Sequence, residues 1–138
     1  MQARTRFFVK YAQISLLYLH MSKYFRTFAA KNQNSIIMPS SDIQKMIPEI
    51  QKYFATQSVE RAYLFGSCSR GEETPDSDVD ILVQLDYSQP IGMRYFGMIC
   101  DLENKLGRKV DLVEERGLKS FARPSVDHDK ILLYERAH

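Results

Sequence analysis

Leu64-Phe65-Gly66-Ser67-Cys68-Ser69-Arg70-Gly71, followed after Glu72 to Asp76 by Ser77-Asp78-Val79-Asp80-Ile81-Leu82-Val83, decides how this chain of 138 residues folds. Two apolar runs flank a polar span that holds Gly66, Gly71 and Pro75, the pattern of two strands joined through a turn and a loop. In the second run Val79, Ile81, Val83 and Leu85 recur at every second position, which is one face of a strand. Asp78 and Asp80 then share the other face, about 6.5 Å apart along the chain. No cation stands beside them in sequence. Two close like charges are costly unless something divalent sits between them. Hard carboxylate oxygens favour Mg²⁺, which in turn suits triphosphate oxygens.

Two-ion phosphoryl chemistry calls for a third acid beside such a pair. Asp111 is the candidate, because in Lys109-Val110-Asp111-Leu112-Val113 it alternates with apolar Val110 and Leu112 and so faces away from them. If that strand lies beside Asp78 to Leu85, roughly 4.8 Å away, the three carboxylates converge. Asp111 would then also accept the proton of an attacking hydroxyl. Gly66-Ser67 supplies the other half of the candidate site. It stands where a strand ends and a helical turn is expected from Cys68. Glycine lets the backbone approach a phosphate, while free N–H groups and the Ser67 hydroxyl donate to its oxygens. Arg70, one turn later, can present a forked guanidinium to the same phosphates.

Plainer readings exist for each residue. Asp78 and Asp80 could be an acidic strand edge that discourages aggregation. Asp111 could pair with Lys109 or Arg108 in solvent, and Arg70 with Glu72 or Glu73. Cys68 has no neighbouring base to activate it and reads as a space-filling residue. Tyr95, Phe96 and Met98 could line a base pocket, but a helical stripe is more often core.

Working outward, Ser40 or Ser41 reads as an N-cap for a helix from Asp42 to about Thr56, with Ile43, Ile47, Ile50 and Phe54 on one stripe. Pro48 inside it is expected to kink it or delay its start. Val59 to Phe65 and Asp78 to Leu85 read as strands. Ile91 to Leu106 reads as a helix striped by Tyr95, Ile99, Leu102 and Leu106 and stopped by Gly107. A third strand is expected over Arg108 to Val113, and a helix from Leu118 to about Asp127 that Pro124 interrupts. A last short strand follows over Ile131 to Tyr134. This order implies a small α/β or α+β layer.

Residues 1–41 carry six Lys/Arg and no acid; the remainder carries thirteen against seventeen Asp/Glu, a net of −4. The later part therefore shows no basic excess of the kind that binds nucleic acid backbones. No apolar run approaches the ~20 residues of a membrane span. Cys68 and Cys100 have neither metal-site nor disulfide-framework spacing, which fits a reduced cytoplasmic setting. Phe7, Tyr11, Ile14, Tyr18, Met21, Phe25 and Phe28 follow helical spacing in the basic segment. Residues 1–37 are read as an N-terminal extension with no assigned function, with Met38 as an alternative start, and 38–138 as the domain.

The central pattern resembles the nucleotidyltransferase superfamily with the polymerase-β-like fold, and in particular its minimal members. That family's signature is Gly-Ser, ten residues, then Asp-x-Asp; here Gly66-Ser67, Cys68 to Ser77, and Asp78-Val79-Asp80 match in identity and spacing. The family's third acid falls at Asp111, and Arg70-Gly71 and Ser77 agree with the minimal type. The resemblance covers about residues 42–135. It implies a small mixed sheet with helices packed on one side and an AMP-transferring site that uses ATP and two Mg²⁺ ions. Minimal members are commonly paired with a helical HEPN toxin, modify one of its tyrosines and so act as antitoxins, which implies a hetero-oligomer. A non-catalytic antitoxin that only covers its partner is one alternative. An aminoglycoside-type adenylyltransferase is another, although such relatives carry a further domain for which this chain has no room.

Overall fold

A computed structural model describes residues 39–137. The basic stripe expected before residue 38 lies outside the described residues. Ser40 caps the first helix, α1 (Ser41–Phe54), its hydroxyl accepting from the Ile43 amide. Pro48 stays inside α1 and does not delay its start. It lies on the exposed side, where water can serve the carbonyl that the missing N–H leaves free. Then follow β1 (Val59–Phe65), the short α2 (Ser67–Arg70), β2 (Val79–Leu85), α3 (Arg94–Leu106), β3 (Val110–Glu114), a 3₁₀ turn (Glu115–Gly117), α4 (Arg123–Asp129) and β4 (Ile131–Glu135).

Three elements start two or more residues later than expected. Helix α3 begins at Arg94 rather than Ile91, because Gly92 takes a positive φ of 46° in a turn ahead of it. Strand β3 starts at Val110, since Arg108 is engaged elsewhere. Helix α4 starts at Arg123, and Pro124 opens it instead of interrupting it. The proline's missing N–H falls among the first-turn donors that have no helical partner anyway.

The four strands lie in the order β3-β2-β1-β4. Strand β1 runs antiparallel to β2 and β4, while β2 and β3 are parallel. A parallel pair needs a crossover, and α3 supplies it. The sheet is therefore mixed. One of its faces presents Ala62, Leu64, Val79, Ile81, Val83 and Leu112, all buried, to the apolar stripes of α1 and α3. On α1 that stripe is Ile43, Ile47, Ile50 and Phe54, as the spacing implies. On α3 the buried line is centred on Met98 and Leu102, with Tyr95, Ile99 and Leu106 half-buried beside it. The Tyr53 hydroxyl donates to Asp101 at 2.7 Å and ties the two helices together. Phe54 is fully buried, its ring 6.2 Å from that of Tyr134. Phe54→Ala is expected to lower the unfolding free energy by ~3–5 kcal/mol in a urea titration, and a loss below ~1 kcal/mol would misplace the core.

Candidate active site

Register brings two of the three acids together. Asp80 is the partner of Asp111 across β2 and β3, and of Phe65 across β1 and β2. Direct partners on neighbouring strands present their side chains to the same face, about 4.8 Å apart. Asp111 thus shares a face with Asp80, opposite the buried Val110 and Leu112. Asp78 is exposed just ahead of β2, two positions from Asp80. The electrostatics follow. Burial, and then the charges of Asp111 and Asp78, push the Asp80 carboxyl up to about 6, with Arg70 acting in the opposite sense.

Gly66 lies beneath this cluster. Its φ of 71° and ψ of −155° fall in a region that essentially only glycine occupies. A Cβ there would stand 2.3 Å from Asp80 Oδ2, so the carboxylate fills the space that the missing side chain leaves. The Ser69 hydroxyl and amide both donate to the Gly66 carbonyl, at 2.7 and 3.1 Å, and fix the turn. Helix α2 begins at Ser67, one residue earlier than expected, so the first-turn amides lie directly after Gly66.

Arg70 pairs with Glu72, as its plainer reading expects. Its Nε donates to Glu72 at 2.9 Å and its Nη1 to Asp129 Oδ2, yet its charge also reaches Asp80. Cys68 is more than filler. Its thiol donates to the Asp78 carbonyl at 3.3 Å, and burial pushes its pKa up to about 11, so it is a positioning donor and not a nucleophile. The three aromatic or sulfur residues on α3 divide. Met98 is core, Phe96 is 59% exposed, and Tyr95 donates its hydroxyl to the Leu112 carbonyl. Sequence reasoning singled out neither Ser69 nor Asp129, and it offered Arg108 only as a partner for Asp111, whereas its guanidinium donates to the Thr74 and Ser77 carbonyls. Asp129 lies 59 residues from Arg70, a pairing with no sequence signal.

Does this donor set suit Mg²⁺? Among the described residues the three carboxylates are not gathered tightly around one point. Asp80 and Asp111 are register partners, while Asp78 stands just ahead of β2. All potential ligands are hard oxygens, and burial, then repulsion from Asp111 and Asp78, raises the proton affinity of Asp80. A divalent cation relieves that repulsion, so the residues fit the ion.

Residues 43–135 match the family model described as a nucleotidyltransferase domain. This chain belongs to that family. A Methanocaldococcus jannaschii protein described as a candidate protein adenylyltransferase is 34% identical over 94 residues, 66% of this chain and 94% of its own. A solved structure described as a candidate minimal nucleotidyltransferase is 31% identical with a TM-score of 0.57, covering 64% of this chain and 90% of its own. The fold is also shared with a Shewanella oneidensis complex of a tri-AMPylated HEPN toxin with an MNT antitoxin, at 23% identity and a TM-score of 0.51. That match covers 67% of this chain and 72% of the other. The four-stranded sheet and its helices are thus those of a minimal nucleotidyltransferase. Among the described residues no helix is long and apolar enough to cross a membrane.

Proposed function

We propose that this nucleotidyltransferase moves AMP from ATP to a hydroxyl of a partner protein, a tyrosine of a HEPN-family toxin, and thereby acts as its antitoxin. The observation that carries the reading is the shared face of Asp80 and Asp111, with Gly66 directly beneath Asp80. Support for a protein acceptor comes from the M. jannaschii relative described for that activity. Support for the partner comes from the fold shared with an antitoxin held on an AMP-modified toxin.

In this reading the amides after Gly66 and the Ser67 hydroxyl donate to the triphosphate. Arg70 adds positive charge beside it. Asp78, Asp80 and Asp111 would hold two Mg²⁺ ions, which supply neutralisation of charge on the phosphates and a lowered pKa for the acceptor hydroxyl. Asp111 takes the proton of the acceptor hydroxyl, whose oxygen forms a bond to the α-phosphorus. The bond from that phosphorus to the α–β bridging oxygen breaks, and pyrophosphate leaves. The reading places the working protein in the cytoplasm as a hetero-oligomer with its acceptor.

The test is incubation with ATP, Mg²⁺ and the product of the neighbouring gene, followed by intact-protein mass spectrometry. One or more AMP additions are expected, and none with Asp78→Ala/Asp80→Ala. Full neutralisation of the partner by that double variant would instead favour an antitoxin that works by covering alone. Three intact acids argue against it, since a mere plug has no use for them.

A further inference from the structure

We propose that Arg108 is a positioning residue for the acidic site: its guanidinium clamps the loop ahead of β2 and thereby fixes where Asp78 stands relative to Asp80. The inference rests on the metal-dependent reading above and adds a residue that this reading does not use.

Asp78 needs outside help. Strand β2 begins at Val79, whose amide makes a bond to the Lys109 carbonyl at 2.9 Å, so Asp78 lies just beyond the ladder. The preceding segment contains Gly71 and Pro75 and has no strand partner of its own. Two contacts tie it down. Arg108 Nη2 donates to the carbonyls of Thr74 and Ser77, each at 2.8 Å. The Cys68 thiol donates to the carbonyl of Asp78 itself. Between Thr74 and Ser77 the turn closes locally, with the Ser77 amide on the Thr74 carbonyl at 3.0 Å and the Thr74 amide on the Ser77 hydroxyl at 2.9 Å. One guanidinium nitrogen thus holds both ends of that turn, and the residue after it is Asp78.

Arg108 is badly placed for a direct role on phosphate. Its Nε is buried without a hydrogen-bond partner, and its Nη2 is spent on carbonyls. Arg70 is the guanidinium whose charge reaches Asp80. Glu73 of the same loop also has buried carboxylate oxygens without a hydrogen-bond partner. Both charges act on the Cys68 thiol, with opposite signs. A lysine keeps the charge, but its shorter side chain ends before the position of Nη2 and leaves the two carbonyls out of reach.

The experiment compares Arg108→Lys with Arg136→Lys. Arg136 is equally networked, to Glu60, Asp86 and the Gln57 carbonyl, but it stands at the opposite end of β2 from Asp78. Three quantities are read on the purified free protein: Mn²⁺ binding by electron paramagnetic resonance, amide hydrogen exchange over residues 74–79, and thermal midpoint. Partners that orient metal ligands typically change affinity ~10–100-fold when lost. Arg108→Lys is expected to weaken Mn²⁺ binding by that factor and to speed exchange over 74–79, with Arg136→Lys changing neither. Equal Mn²⁺ affinity in the two variants would overturn the proposal, as would unchanged exchange. Should Arg108→Lys not fold, Arg108→Gln is read in the same way: it removes the guanidinium from the two carbonyls, the same ~10–100-fold loss of Mn²⁺ affinity is expected, and no loss would again overturn the proposal. Because no acceptor or ATP is involved, the clamp can fail while AMP transfer stands, and the reverse.

Discussion

Gly66→Ala is expected to reduce nucleotidyl transfer by at least ~100-fold while leaving a folded protein. The cause is steric and lies in one contact. A methyl group at that position would meet Asp80 Oδ2 at 2.3 Å, a separation that no real Cβ contact shows. Backbone strain alone, at φ 71° and ψ −155°, costs on the order of 1–3 kcal/mol for a residue with a side chain. The backbone is also held by Ser69, so the carboxylate is the softer partner and moves first. Misplacement of a reacting group by an ångström can cost ~100-fold in rate. Steady-state rates together with circular dichroism read the result. Transfer within about threefold of wild type would show that Asp80 does not depend on the space above Gly66.

Asp80→Asn is expected to abolish transfer, by roughly a thousandfold or more, and at the same time to stabilise the metal-free protein near neutral pH. The first effect follows from the loss of a ligand oxygen and its charge, a contribution of several kcal/mol to the reaction barrier. The second follows from linkage. The folded Asp80 carboxyl sits at about 6 against an ordinary 3.8, so the folded state binds its proton more tightly than the unfolded chain. The stability this contributes is present below about pH 4 and is lost as the pH rises through about 6. Above that, ionised Asp80 is a net cost of about 1–3 kcal/mol, taking one pKa unit as 1.36 kcal/mol and allowing for solvent screening. Asparagine removes the charge and most of that cost. Denaturant titrations should therefore show the variant ahead at pH 7.5 and level with wild type at pH 4, and Mg²⁺ at pH 7.5 should narrow the gap by stabilising wild type alone. A variant less stable than wild type at pH 7.5 would make Asp80 a structural residue.

Much of the site could be read in advance because its parts obey local rules. Period-two alternation put Asp78 and Asp80 opposite Val79 and Ile81, and the same rule oriented Asp111. Only their meeting needed tertiary structure, and the parallel register supplies it at the Asp80–Asp111 pair. The stripe of α1 was legible for the same reason, whereas the effect of Pro48 was not. A proline disturbs a helix by what it denies a neighbour, and the exposed side of α1 makes that denial cheap. Pro124 misled in the opposite direction, because its meaning depends on whether a helix has already begun. The supporting residues were illegible for another reason. Arg108 on two loop carbonyls, Asp129 on Arg70, and the Cys68 thiol on the Asp78 carbonyl are long-range partners, and isolated residues of those types leave no periodic trace.

In the proposed reading stability and catalysis oppose each other at Asp80, as expected where charges are held together for a ligand that arrives later. The same economy explains why Gly66 and the short helix α2 sit at the end of β1, where the backbone can come close to both the acids and a phosphate.

The most direct measurement follows two labels through one reaction, with the partner protein, Mg²⁺ and ATP labelled either at the α-phosphate or at the γ-phosphate. Label from the α-phosphate should appear on the partner protein and depend on Asp78, Asp80 and Asp111, while label from the γ-phosphate should leave as pyrophosphate. Transfer of the γ-label, or an α-label that survives loss of all three acids, would contradict the site described above.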